Sequence, residues 1–295
     1  MTLTEKPDVT LFEVGPRDGL QNEKRLIQAS DKIKLVDLLS DCGFRKIEVT
    51  AFVSPKWVPQ MADNAEVMAG ISRRPGTRYA VLTPNLKGYE AARAAEADEV
   101  AIFVSASESF SKANINCTVA ESLERNRPLA DAAAADGIPV RGYVSCVTDC
   151  PFDGPTPVGN VAFAVGALRD LGCYEISLGD TIGKGTPEAI DRMLEAVLGE
   201  IGPDRLAGHY HDTSGRALEN IEVSLERGLS VFDSSAGGLG GCPYAPRAAG
   251  NVATESVVAF LEEKGYSTCV DREALTVASQ FARSLRNEKA EQASR

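Results

Sequence analysis

The sequence predicts an α/β protein folded as a (β/α)8 TIM barrel with one extra helix at the C-terminus. Three observations carry this expectation. Eight short runs rich in β-branched residues recur along the chain, helix-patterned stretches lie between them, and several of those stretches end in glycine just before the next run. The structural alternative is an open, doubly wound sheet. It needs fewer strands, and no GxGxxG turn follows the first run.

The strand candidates are VTLFEV (9–14), KIEVTAFV (46–53), RYAVLT (78–83), EVAIFVSA (99–106), PVRGYVSCV (139–147), YEISLGD (174–180), LAGHYHDT (206–213) and SVFDSSAG (230–237). Between them, DKIKLVDLLSDCG, NLKGYEAARAAEA, ESLERNRPLADAAAADG, NVAFAVGALRDLG, TPEAIDRMLEAVLGEIG and GRALENIEVSLERG place apolar residues at helical spacing. The segment after 271 reads as a terminal helix. No low-complexity linker interrupts the pattern, so residues 1–295 are expected to form one catalytic domain, with 280–295 a frayed polar tail.

Composition narrows the function. Of 295 residues, 43% are hydrophobic and 25% charged, which suits an ordinary globular protein. The net charge of −11 and the absence of a basic block argue against nucleic-acid binding, because no cluster is available to neutralise phosphates. Seven scattered cysteines with no paired CxxC suit free thiols in a reducing compartment better than a structural zinc site. No apolar run approaches membrane-spanning length, and the N-terminus MTLTEKPDVT lacks a signal core, so the expectation is a cytoplasmic protein with no membrane partner.

In a barrel of this kind the chemistry sits at the C-terminal ends of the strands. The first strand ends in GPRDGLQN, which brings Arg17, Asp18 and Gln21 to the rim; Arg17 and Gln21 are candidates to bind substrate. The second carries Glu48, the sixth ends at Asp180, the seventh carries His209 and His211, and the eighth leads into GGLGGCPYAPRAAGN with Cys242 and Asn251. The two histidines are the only ones in the chain, and their spacing of two puts both side chains on one face of a strand. Either that face points into the barrel mouth and chelates a cation, or two histidines fall together near a surface. Asp18 follows the strand that closes the barrel beside strand eight, so its carboxylate can complete a set with the imidazoles, and Asn251 can add an amide oxygen. Mixed nitrogen and oxygen donors suit Mg2+ or Mn2+. Arg17 offers a fixed cation for developing negative charge, and Glu48 can orient it. Asp180 serves either the site or the cap of the following helix, for which Thr186 is better placed. Gly237, Gly238, Gly240 and Gly241 form either a phosphate cradle or a mobile lid bearing Cys242.

The ordered motifs GPRDGLQN, FVSPKWVPQMAD, VLTPNLKGYEAA, NINCT, RGYVSC, GCYEISLGDTIG, HYHDT and GGLGGCPYAP with GN downstream resemble the 3-hydroxy-3-methylglutaryl-CoA lyases of the DRE-TIM metallolyases, from about residue 9 to about residue 261. The resemblance implies cleavage of 3-hydroxy-3-methylglutaryl-CoA to acetyl-CoA and acetoacetate, as in leucine degradation, by a homodimer that takes an acyl-CoA partner. It implies a divalent cation held by Asp18, His209, His211 and Asn251. Arg17 would stabilise the enolate with Glu48 positioning it, Cys242 would lie on a mobile loop, and Asp180 would assist near the metal. A larger 3-hydroxy-3-acylglutaryl-CoA, or an aldolase or condensing reaction of the same superfamily, are the rival activities. The chain departs from the family pattern at Arg247, Ser214, Arg216 and Ser256. Arg247 lies between Cys242 and Asn251, where it bears on acyl or CoA preference.

Overall fold

The structure is a computed structural model and describes residues 8–241 and 250–287. The eight apolar runs form strands β1 (Thr10–Glu13), β2 (Lys46–Ala51), β3 (Arg78–Leu82), β4 (Glu99–Ser105), β5 (Val140–Ser145), β6 (Glu175–Asp180), β7 (Leu206–Tyr210) and β8 (Val231–Ser234). They pair in parallel in the order β1-β8-β7-β6-β5-β4-β3-β2 and close into a barrel through β1 and β2. All but β6 end earlier than the apolar runs suggest. The residues past each strand end leave the ladder and build the rim.

Helices α1 (Ala29–Ser40), α2 (Asn64–Gly70), α3 (Leu86–Ala94), α4 (Glu108–Ile115), α5 (Val119–Asp136), α6 (Val158–Asp170), α7 (Pro187–Val197), α8 (Ala217–Glu226), α9 (Thr254–Glu263) and α10 (Arg272–Asn287) surround it. Of these, α2, α4 and α9 go beyond the stretches singled out from sequence. Local chemistry sets the boundaries. Thr118 and Glu121 form a capping box on α5, and Gly137 at φ 70° closes that helix where a side chain would be strained. Thr186 caps α7, its hydroxyl accepting from the Ala189 amide at 3.3 Å, with Pro187 in the first turn.

The extra helix α10 is capped by Asp271, whose Oδ1 accepts from the amides of Glu273 at 2.8 Å and Ala274 at 3.0 Å. It buries Leu275, Ala278, Ala282 and Leu285, a 3-4-3 stripe that carries the helix to Asn287. The tail expected to fray from 280 is therefore helical over 280–287, because this stripe continues through it; residues 288–295 lie outside the described residues. No helix among the described residues is long and apolar enough to cross a membrane.

The barrel interior is unusually polar. Arg141, Glu48, Glu99 and Asp233 are buried in it, where branched aliphatic layers are the norm. Register explains how two of them are tolerated: Arg141 pairs with Glu175 across β5 and β6, and Asp233 pairs with His209 across β8 and β7. Glu48 is met instead by Arg17, and Glu99 by the Tyr174 hydroxyl.

Candidate metal centre

Asp18 sits in a wide π-type turn, Gly15–Gly19, immediately after β1. Such turns are frequent at functional sites because they re-aim the chain. Val14 holds the turn by accepting from the amides of Asp18 (2.8 Å) and Gly19 (3.2 Å). Gly19 has to be small: a Cβ there would lie 2.7 Å from the Leu239 Cβ.

His209 lies on β7 and His211 just beyond it. Their rings are 5.4 Å apart between centroids, as the spacing of two requires. Asn251 comes alongside because residues 250–252 pair antiparallel with 210–212. Val252 donates to the Tyr210 carbonyl at 3.1 Å, Asp212 donates to the Gly250 carbonyl at 3.0 Å, and His211 and Asn251 are bridge partners. Ligand atoms of Asp18, His209 and His211 lie within 4.8 Å of one another. Asn251 Nδ2 donates to Asp18 Oδ2 at 2.8 Å, so ligation through the amide oxygen calls for a half-turn of the carboxamide.

The donor set fits a divalent cation. His211 Nδ1 is buried without a hydrogen-bond partner, an arrangement that a bound cation would resolve. Burial, with His209 adding to it, pushes the His211 imidazole down to about 4, which keeps it neutral and able to ligate. Burial also raises the Asp18 carboxyl, but Arg17 and the two histidines outweigh that and hold it at about 2.

Around this cluster the structure assembles most of the expected residues. Arg17 donates from Nε to Glu48 Oε2 at 2.7 Å and from Nη1 to Asp18 Oδ1 at 2.7 Å, and its Nη2 lies 2.7 Å from the same Glu48 oxygen. Burial disfavours its charge, but Glu48 and Asp18 more than restore it. Gln21 Nε2 donates to Asp18 Oδ1 at 2.9 Å.

Asp180 is differently engaged. Its carboxylate accepts from Thr148 Oγ1 (2.8 Å), the Gly185 amide (2.8 Å) and the Lys184 amide (3.3 Å), so its hydrogen bonds hold the loop after β6. Ser214 donates to the Gly183 carbonyl at 2.6 Å in the same region. Arg216 precedes α8, and Ser256 lies in the first turn of α9. Cys242 and Arg247 lie outside the described residues.

Four further residues belong to the site and were not singled out from sequence. Asp233 Oδ2 lies 3.0 Å from His209 Nδ1, which turns Nε2 toward Asp18, 3.9 Å from its Oδ2. Arg141 holds Asp233 with two bonds of 2.8 and 3.1 Å, and Ser177 adds a third at 2.8 Å. This is the carboxylate–histidine pairing that orients metal-ligating imidazoles. Tyr143 donates to Glu48 Oε2 at 3.2 Å, and its ring centroid lies 5.4 Å from the Arg17 guanidinium carbon. The available signal was a charge inside an apolar strand, as in VRGYV and VFDSS.

Residues 8–282 match the model of the HMGL-like family. A Pseudomonas aeruginosa protein named 3-hydroxy-3-isohexenylglutaryl-CoA/hydroxy-methylglutaryl-CoA lyase is 56% identical over 95% of this chain and 93% of its own. The crystal structure of an HMG-CoA lyase from Brucella melitensis superposes with a TM-score of 0.94 at 60% identity, covering 95% of this chain and 99% of that one. An HMG-CoA lyase from Acinetobacter baumannii, solved with coenzyme A and 3-methylmalate, superposes with a TM-score of 0.91 at 37% identity over 97% and 93% of the two chains. With the match covering nearly all of the described chain, the protein belongs to the HMGL-like family.

Proposed function

We propose that this protein is a divalent-cation-dependent lyase that cleaves 3-hydroxy-3-methylglutaryl-CoA to acetyl-CoA and acetoacetate. The observation that carries the reading is the convergence of Asp18, His209 and His211 with the Arg17 guanidinium bonded to the Asp18 carboxylate. Asp18, His209, His211 and Asn251 would hold the cation, with Mg2+ or Mn2+ suited to their mixed oxygen and nitrogen donors. When bound, such an ion polarises substrate oxygens and makes a hydroxyl more acidic.

The chain's own groups supply the rest. Asp18 takes the proton of the tertiary hydroxyl, or His209 does so where its Nε2 is free of the cation, since Asp233 occupies Nδ1. The C2–C3 bond then breaks: its electron pair passes to the thioester as the enolate of acetyl-CoA, and the hydroxyl-bearing carbon becomes the ketone of acetoacetate. Arg17 has five N–H donors. Its bonds to Glu48 and Asp18 leave an N–H on each of Nη1 and Nη2 for the enolate oxygen. Glu48 and the Tyr143 ring hold the guanidinium in place before charge develops, so little reorganisation is needed during the reaction. Cys242 returns a proton to the enolate carbon, or His209 does so from an Nε2 that is not on the cation.

A second substrate is kept in view by the double name of the Pseudomonas aeruginosa relative. Acetyl-CoA release from a panel of 3-hydroxy-3-acylglutaryl-CoA thioesters, run with and without EDTA, tests both. EDTA-sensitive release from the methyl compound supports the reading, and release only from longer acyl chains replaces it with the second. We also propose a homodimer, on the family resemblance; sedimentation equilibrium reads it directly.

A further inference from the structure

The ligand candidates Asp18 and Asn251 lie 233 residues apart and reach each other beyond the ends of their strands. β1 and β8 pair only from Thr10↔Val231 to Glu13↔Ser234, so the barrel ladder does not itself fix the two segments that follow. We propose that Arg286, on the outer helix α10, is a positioning residue for the metal centre, tying the segment after β1 to the segment after β8. The proposal rests on the ligand assignment made above.

The geometry is specific. Arg286 Nε donates to Glu23 Oε1 at 3.0 Å, and its Nη2 donates to the Gly240 carbonyl at 2.8 Å. Glu23 is five residues past Asp18, and its own amide is held by the Leu20 carbonyl at 2.9 Å. Gly240 lies directly on the site. A Cβ at that position would be 2.7 Å from Asn251 Nδ2 and 3.5 Å from the Gly19 Cα. The peptide that Arg286 grips therefore lies beside the Asn251 carboxamide and the turn that presents Asp18, with too little room between them for a side chain. Asn251 Nδ2 also donates to the Leu239 carbonyl at 3.3 Å, and Asn22 Nδ2 donates to the Gly241 carbonyl at 3.1 Å.

A second set of bonds from the same helix holds the other end of this stretch. Glu255 Oε2 accepts from the Gly237 amide at 3.1 Å and from Ser279 Oγ at 3.0 Å, and Glu255 Oε1 accepts from Arg283. Residues 237–241 are thus held at both ends from α10, directly by Arg286 and through Glu255 by Ser279 and Arg283.

The residue type suits the task. A planar guanidinium donates along separate edges and can hold a carboxylate and a carbonyl at once, whereas an ammonium is a single point charge. A third of the Arg286 side chain is exposed, so its ion pair adds little to stability. The buried stripe Leu275, Ala278, Ala282 and Leu285 docks the helix without it. Metal affinity is more demanding, since ligands have to be held to within about half an ångström.

The test uses the full chain and titrates Mn2+ by calorimetry into wild type, Arg286→Ala, Arg286→Lys, Glu23→Gln and His211→Ala, with denaturant midpoints measured in parallel. Arg286→Ala is expected to weaken Mn2+ binding about three- to tenfold with its midpoint unchanged. That is smaller than the loss typical of a group bonded directly to a ligand, because one peptide intervenes. Arg286→Lys and Glu23→Gln are expected to fall between it and wild type. Wild-type affinity in Arg286→Ala, with His211→Ala impaired, overturns the positioning role alone. Wild-type affinity in His211→Ala overturns the ligand assignment and the proposal with it. Should Arg286→Ala fail to fold, Arg286→Lys decides: affinity equal to wild type in that variant and in Glu23→Gln overturns the proposal, and a loss in both supports it.

Discussion

Replacing Asp233 by Asn asks the most of the site geometry, because one carboxylate there serves both metal affinity and stability. Asp233 accepts from Arg141 twice, from Ser177 once and contacts His209 Nδ1. Asn keeps the shape but loses the charge, and whichever way its amide turns, an NH2 faces groups that donate. If the oxygen stays on Arg141, His209 loses the acceptor that fixes its tautomer. If it stays on His209, the amide NH2 opposes the guanidinium. Loss of such an outer partner typically weakens metal binding 10- to 100-fold, about 1.4–2.7 kcal/mol. Stability falls separately. Arg141 is fully buried and keeps one ion pair, with Glu175 2.6 Å from its Nε, so losing the second carboxylate costs at most about 3–5 kcal/mol. Calorimetric titration with Mn2+ measures the first effect and chemical denaturation the second. A folded Asp233→Asn protein that binds Mn2+ as tightly as wild type would refute the claim that Asp233 aims His209 at the metal.

Arg17→Met removes the cation beside the reacting carbon while leaving every ligand candidate in place. Turnover is expected to fall by about 3 kcal/mol of transition-state stabilisation, with Mn2+ affinity retained; near-wild-type turnover would remove the enolate role. Glu13 is buried and accepts from the amides of Gly15 and Ala236 and from Thr254 Oγ1. Burial, only partly offset by these bonds, raises its carboxyl to about 7. A raised carboxylate favours folding fully below its unfolded value near 4.5, and that contribution is lost as pH rises through about 7. Wild-type stability is therefore expected to decline by about 3 kcal/mol over that window relative to Glu13→Gln, read as denaturant midpoint against pH. Parallel profiles would show that Glu13 does not titrate as described. Free Mn2+ at 100 times its dissociation constant is expected to stabilise the wild type by about 2.7 kcal/mol and EDTA to reverse this, measured by thermal unfolding. An unchanged melting temperature in both conditions would argue against a folded-state cation site.

The fold was legible because barrel strands are short, apolar and punctuated, and both capping chemistry and glycine stops are local signals. The histidine pair was legible for the same reason: a spacing of two on a strand fixes a shared face whatever the tertiary structure. Arg141 and Asp233 were not, since a buried charge is tolerable only beside its partner, and these partners are 92 residues apart. Nothing in VRGYV or VFDSS states which distant strand supplies the counter-charge. Asp180 shows the opposite difficulty. An acid at a strand end suits a catalytic site and a loop anchor equally well, and its hydrogen bonds here go to the loop amides of Lys184 and Gly185. Arg286 could not be read at all, because its partner at Gly240 is a backbone carbonyl, which every residue possesses.

The polar core also bears on how ligand binding and stability are linked. A buried polar atom left without a partner costs about 1–3 kcal/mol, so a barrel lined with charge is stable only if nearly all of its atoms are matched. Arg141, Asp233 and the Nδ1 of His209 meet that condition through one another. Several buried atoms among the described residues do not, Glu99 Oε2 in the barrel among them, and two of these belong to residues of the candidate site: His211 Nδ1, on a ligand candidate, and Glu48 Oε1, on the residue that holds Arg17. Their positions separate the two ligands. A cation removes the cost at His211, and a substrate group that donates a hydrogen bond removes the one at Glu48. Stabilisation by Mn2+ should therefore disappear in His211→Ala and survive in Arg17→Met, whereas further stabilisation by the acyl-CoA should be reduced in Arg17→Met, where Glu48 has lost the residue it positions. Equal Mn2+ stabilisation of all three proteins would mean that the cation binds elsewhere and that the unmatched atoms are unrelated to function.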